Sequence, residues 1–382
     1  MGLRGPQRAA ARAAIEGLRE LTAQRLTTSQ LFRHADELLR PVLEFDAVCW
    51  HTTDPATGLV NSVQSDDLNL GQFEDAVHLE VWADDLATFP KIRSSGVQAE
   101  TLSRASRGAP QNSIRFREQI SRYGFGDELR AVFDAAGGMW GCAAFMRAAD
   151  RGPYPARQRE LADTAARLLG QALRTSHLPP TGPGPADPTP AVLLLDRHNR
   201  PRTLSGPAEE LLSRVADPSP TSLDVPTAIA MAAEHARRAA HGLPTPQIPV
   251  RIRTHDGHWY LLHASPARDA RDARDARDAR DARDARDARA CGSAADEVTV
   301  VATPASPAHV IPLHLAAYGL TAREQEVALL LIRGADTREV AQRLAMAPYT
   351  VQDHLKSVFT KTGVSRRQEL TALIMLALNP GP

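Results

Sequence analysis

The sequence predicts a multidomain chain, two α+β domains followed by an all-α domain of four short helices. Three observations carry this. A length of 382 residues exceeds what one ordinary core serves. The run "LPPTGPGPADPTP" at 178–190 has six prolines in thirteen residues. It cannot supply the backbone donors of a helix or a central strand, so it reads as an extended linker. After Leu320 strand patterns stop and closely spaced helix caps begin.

Taken in order, residues 1–24 form a helical extension whose Arg4, Arg8, Arg12, Glu16 and Arg19 break any signal-peptide-like apolar run. The first α+β domain, 25–177, opens with a helical pattern, "SQLFRHADELLRPVL". The strand-like "FDAVCWHTT", the turn "DPATG" and a second short strand follow. "DELRAVFDAAGGMWGCAAFMRAA" reads as two strands joined by a tight Ala-Gly-Gly turn, and an amphipathic helix spans about Gln158–Leu173. This order predicts a sheet with helices on one side. The second α+β domain, 191–302, holds "AVLLLDRHNRPRTLS" as strand, turn and strand. Helices follow at Pro207–Val215 and Pro226–His241, then a hairpin turning at Asp256-Gly257 and a last strand, "DEVTVVA". Its insert at 268–290 repeats Arg-Asp-Ala. The near-balanced charges and the absence of any apolar residue larger than alanine make it a solvated loop expansion. A weaker break at 303–312, "TPASPAHVIP", reads as a second linker before the helical domain at 313–378.

By element order, 25–177 resembles the GAF family of small-molecule sensor domains, and 191–302 is similar to a PAS-like fold. The aromatic residues Trp50, Trp82, Tyr123, Phe125 and Trp140 either line a ligand pocket or fill the core.

Composition narrows the function. The chain is 43% hydrophobic and 24% charged with a formal net charge of zero, which excludes indiscriminate coating of nucleic acid but leaves room for a small basic face. Cys49, Cys142 and Cys291 form no CxxC and cannot all pair, as fits a reducing cytoplasm. No apolar segment is long enough to span a bilayer, so no membrane association and a cytoplasmic location are expected. Only three lysines occur, and two of them, Lys356 and Lys361, fall within "YTVQDHLKSVFTK".

That stretch belongs to the helical domain. Thr321 with Glu324 makes a capping box for a first helix, and Asp336 with Glu339 offers a cap for a second. Pro348 suits the first position of a third helix, and Ser365 with Gln368 caps a fourth. Tight turns between short helices predict helix-turn-helix architecture. At about 100° per residue, Val351, His354, Leu355 and Val358 share one face of the third helix. Tyr349, Gln352, Asp353, Lys356 and Thr360 share the other. An apolar back and a polar front are what a helix inserted into the major groove needs.

"LTAREQEV", "REVAQRLAMA" and "TVQDHLKSVFTKTGV", in that order, resemble the LuxR-type helix-turn-helix domain over 313–378. The resemblance implies a transcription regulator, and no enzyme. It implies a homodimer on roughly palindromic promoter DNA, with the fourth helix at the dimer contact and RNA polymerase as a further partner. Carried over, Gln352 holds a position usually basic, where its amide suits adenine. Lys356 and Lys361 fall near the DNA backbone, and Arg366 and Arg367 fall at a phosphate-contacting position. Thr337 would meet a phosphate with exposed backbone N–H groups. Arg338, Pro348, Tyr349 and Thr350 complete the candidate set. Asp353 either accepts from cytosine or deters non-specific contacts. Ala345 and Ala347 replace the frequent Gly and Ser of the turn, leaving the third helix without a side-chain N-cap.

No GxxxxGK[ST] occurs, and neither a phospho-receiver pattern nor that of the acyl-homoserine-lactone receptors is present. His255, His258 and His263 read as hairpin histidines, so no metal and no cofactor is expected. Cys49 and Cys142 read as buried structural thiols in preference to a redox pair. A small-molecule ligand in the first domain fits the reading. The rival reading is a sensor or interaction scaffold whose helix-turn-helix contacts proteins.

Overall fold

The computed structural model describes residues 5–24, 26–71, 73–176, 189–215, 217–245, 249–267 and 297–378. The proline-rich run to 188, the 268–290 repeat and Cys291 lie outside the described residues. Two five-stranded antiparallel sheets precede a bundle of short helices.

The first sheet is framed by α1 (Gly5–Thr22) and α2 (Thr28–Leu43), which starts on a Thr27/Gln30 capping box. Its strands are β1 (Ala47–Thr53), β2 (Val60–Gln64), β3 (Ala99–Thr101), β4 (Phe125–Ala135) and β5 (Gly138–Ala148), in the order β2-β1-β5-β4-β3. Helices α3 (Phe73–Trp82), α4 (Phe89–Ser94) and α5 (Leu102–Ala105) lie between β2 and β4, and α6 (Ala156–Ser176) follows β5.

Helices on one side were expected, and here the structure corrects the sequence reading. Along β1, Val48 and Trp50 pack with α1, α2 and α6, whereas Cys49 packs with α3 and α4. Both faces are covered, which is why β5 reads as an almost unbroken apolar run. On the α2–α6 face Phe32 stacks on Trp50 at 5.2 Å, and Phe145 meets Trp50 edge-on at 5.3 Å. Each such ring contributes about 1.5–3 kcal/mol by burial. Trp50 and Trp140 are therefore core, and Trp140 Nε1 donates to the Ala135 carbonyl at 2.9 Å. A Cβ on Gly170 would come within 3.0 Å of the Phe133 and Asp134 backbone, so glycine lets α6 lie directly on β4.

The β4–β5 hairpin turns through Ala136 (φ 51°) and Gly137 (φ 79°), with Ala135 paired to Gly138. Two central residues at positive φ make the turn that matches strand twist, and alanine is a poor occupant of the first. Ala136→Asn should stabilise this unit by about 1 kcal/mol. That would appear as a rise of about 2–4 °C in the melting midpoint followed by Trp fluorescence.

The second sheet comprises β6 (Ala191–Leu195), β7 (Pro201–Leu204), β8 (Val250–Arg253), β9 (Trp259–Pro266) and β10 (Val298–Pro304), in the order β7-β6-β10-β9-β8. Counted within each sheet, both follow the same 2-1-5-4-3 order. Helix α7 (Gly206–Arg214) covers β6, and α8 (Thr227–Ala240) is buried from Thr227 to Arg237. Such burial arises because α8 packs on β9 and β10 on one side and on β2 and α3 on the other. The seam is polar as well as apolar. Trp82 Nε1 donates to Glu234 at 2.7 Å, and the Val63 N–H donates to Asp217 at 2.9 Å. Arg251 pairs at 3.2 Å with the fully buried Asp54.

The break expected at 303–312 carries the end of β10 and the first half of a helix, α9 (Pro307–Ala317). One face of α9, with Val310, Leu313 and Ala317, joins the core beneath α6. Ile311 and Leu315 join the core of the helical bundle. Arg174, half-buried on α6, donates to the Ala317 carbonyl at 2.8 Å, capping the carboxy-terminal end of α9.

Candidate nucleic-acid interface

The bundle is built from α9 with α10 (Ala322–Ile332), α11 (Thr337–Arg343), α12 (Pro348–Thr362) and α13 (Arg367–Leu378). Each start has a local cause. The Thr321 hydroxyl accepts from the Glu324 N–H while Glu324 accepts from the Thr321 N–H, the full capping box. Asp336 accepts from the Arg338 and Glu339 N–H groups at 2.8 and 2.9 Å. Pro348 opens α12 after Ala347, which offers no side-chain cap. The cap of α13 comes from Glu369, which accepts from the Ser365 N–H at 2.7 Å, where Gln368 was expected. Gly363 at φ 73° ends α12.

Helix α12 divides as its sequence requires. Val351 and Val358 are fully buried, and His354 and Leu355 are half-buried beside them. Val351 packs with Val327, Val340 and Ala341, which holds α12 against α10 and α11. On the opposite face Tyr349 is 71% exposed, and Gln352, Asp353, Lys356 and Thr360 are exposed. Lys356 lies 3.8 Å from Asp353, a loose solvent-facing pair that leaves the ammonium available.

The remaining candidates divide. Pro348 and Thr350 are exposed at the first turn of α12, beside Tyr349. Arg338 and Arg366 are exposed, and Thr337 is half-buried at the first position of α11. The N–H groups expected to be open near Thr337 are partly taken: Asp336 already binds two of them, and these bonds hold its carboxyl below the usual range. Arg367 donates to the Leu331 carbonyl at 2.9 Å, tying α13 to the end of α10.

Lys361 has an internal partner. Its ammonium lies 2.6 and 2.9 Å from the two oxygens of Glu324, whose side chain is 7% exposed. Glu324 also accepts from Ser357 at 2.6 Å. Burial pushes this carboxyl up, but Lys361, Ser357 and the Thr321 N–H outweigh it and bring it down to about 2. Glu324 is thus the hub joining α10 to α12. Its capping role was legible in the sequence; its contact with Lys361, 37 residues on, has no local signal.

Ala345, in the turn between α11 and α12, sits at φ 51°. Ala345→Gly should therefore stabilise the bundle by about 1 kcal/mol. Amide exchange across residues 337–362 would slow roughly fivefold.

Among the described residues no helix is long and apolar enough to cross a membrane, and no cluster of His, Cys, Asp or Glu is arranged to hold a metal. His258 pairs with Asp256 at 3.1 Å within its hairpin. Cys49 and Cys142 are free and buried, and burial pushes both thiols up.

Residues 319–374 match the family model of the bacterial regulatory proteins of the luxR family, GerE. No curated protein matches the chain. Among solved structures, the VqmA dimer of Vibrio cholerae without target DNA is 17% identical, over 49% of this chain and 82% of that one, with a TM-score of 0.21. The LBD domain of VqsR from Pseudomonas aeruginosa is 12% identical over 44% and 97%, TM-score 0.30. The E. coli DhaR(N)–DhaL complex is 10% identical over 80% and 92%, TM-score 0.24. Likenesses this slight say nothing of what this chain binds. The bundle speaks through its own motifs, caps and packing: residues 319–374 are a helix-turn-helix domain of the luxR family.

Proposed function

We propose that this chain is a sequence-specific, one-component transcription regulator that binds promoter DNA as a homodimer through α12. The observation that carries this is the exposed polar face of α12, opposite a fully buried apolar back, inside a luxR-family domain. Tyr349, Thr350, Gln352 and Asp353 would face base edges, and Lys356, Arg338 and Arg366 would meet phosphates. Pro348 and Thr337 would approach the backbone. Lys361 and Arg367 serve the same surface by holding helices in place. The dimer contact falls to α13, where Met375 is 44% exposed. The two sheets, at 25–177 and 191–302, act as GAF-like and PAS-like sensory modules. Their shared strand order supports reading them as modules of one kind. RNA polymerase is the partner that activation would require, and catalysis forms no part of this reading.

A gel shift with DNA from upstream of the chain's own gene tests it. Retardation should weaken steeply between 50 and about 200 mM salt. Lys356→Ala should weaken binding to all sequences by a similar few-fold factor and lower the salt slope by about one. If no upstream fragment is retarded even at low salt and high protein, the bundle serves protein contacts and the reading fails.

A further inference from the structure

A cavity of about 90 Å³ lies between the first sheet and α3, and α8 of the second unit forms part of its wall. It is several times the space one water needs. Its walls are mostly apolar, with Leu70, Phe73 and Val77 from the first unit and Met231 from the second. Its polar lining is His51, Glu128, Arg130 and Thr227, all buried, with Glu80 and Gln119 half-buried.

Arg130 is 6% exposed and its guanidinium lies 4.1 Å over the Phe89 ring. Nε donates to Glu128 at 3.2 Å. Nη1 pairs with Glu80 Oε2 at 2.8 Å. Nη2 has no hydrogen-bond partner among the described residues. His51 is 8% exposed and its Nδ1 lies 3.3 Å from the Ser62 carbonyl, which must accept, so Nε2 keeps its lone pair. Burial, then the nearby Arg130, lowers the imidazole to about 4, so it is neutral at physiological pH. The cavity thus presents an open donor at Arg130 Nη2 and an open acceptor at His51 Nε2, beside a guanidinium already paired with Glu80 and Glu128. An anion would satisfy only Arg130 and would meet Glu80 and Glu128. A cation would satisfy only the acceptor and leave the guanidinium donor bare. Buried polar groups left unanswered cost about 1–3 kcal/mol each, so the occupant must carry both functions.

We infer that this cavity binds a small uncharged molecule bearing adjacent donor and acceptor groups, of the amide type, on a compact apolar body. Because Thr227 and Met231 of α8 line it, the occupant touches both sheet units and tightens their seam. Its regulatory meaning rests on the proposed sensory role, whereas the binding itself does not.

The test uses the full chain and three isosteric probes, isobutyramide, isobutyrate and isobutylamine, by saturation-transfer NMR without DNA. Isobutyramide should bind at least tenfold tighter than either charged probe. Ala76→Leu, which fills the cavity from α3, should abolish that signal. Met231→Phe fills it from the other unit and serves if the first variant fails to fold. His51→Leu should cost the amide about tenfold. Equal or tighter binding of a charged probe, no binding of isobutyramide, or an amide signal unchanged in a folded filled variant overturns the inference. DNA retardation is read separately, so failure here leaves the regulator reading standing, and the converse holds.

Discussion

Replacing Glu324 by alanine should destabilise the helix-turn-helix bundle by about 3 kcal/mol, the largest stability effect expected of a single change in it. Three losses combine. The N-cap loses its reciprocal bond to Thr321, typically about 1 kcal/mol. The Ser357 hydroxyl loses its acceptor. Lys361, whose side chain is 34% exposed, loses its counter-ion. Amide exchange in α10 and α12 should accelerate by about two orders of magnitude, while the β4–β5 hairpin is unchanged. Unchanged exchange in α12 would mean that the helices are held by apolar packing alone. The same contacts set a pH dependence. The folded carboxyl titrates near 2 and the unfolded one near 4.5, so the stabilisation is complete above about 4.5. It is lost as pH falls from there toward 2. In Glu324→Gln that segment of the acid-unfolding curve should flatten.

Gln352→Ala should lower affinity for the cognate site by ten- to a hundredfold, the 1–3 kcal/mol of a bidentate amide–adenine contact. Gln352 stands exposed in the middle of the polar face, one helical turn before Lys356. The loss should fall on one base pair per half-site and relax the preference there, with binding to unrelated DNA nearly unchanged. Lys356→Ala should do the opposite, weakening all sequences alike. Selection from a randomised duplex library, followed by titration of the enriched and scrambled sites, separates the two. If Gln352→Ala weakens cognate and scrambled DNA equally, the residue contacts backbone and sequence is read elsewhere on α12.

The bundle was the more legible part of the chain because its signals are local. Capping box, Pro348 and Gly363 lie within a few residues of the helix ends they set, and the apolar spacing of Val351 and Val358 fixes which face is buried. The sheets were legible as strands and turns but not as layers. Periodicity says that β5 is buried, not that α3 and α8 cover the side opposite α6. Trp50 and Trp140 resolved to core only with residues that distant segments bring, Phe32 stacked on Trp50 and the apolar cluster of α2 and α6 around both.

By itself the sequence determined the helix-turn-helix and the polar face of α12, since each depends on residues within about one or two turns of each other, but it read 303–312 as a linker where β10 ends and α9 begins. Only the tertiary structure decided that Lys361 faces Glu324, that α9 belongs to two cores at once, and that Arg130, Glu80 and His51 border one cavity. Those outcomes depend on which desolvated groups meet across tens of residues. A buried charge takes the partner that packing brings to it, which no local pattern encodes.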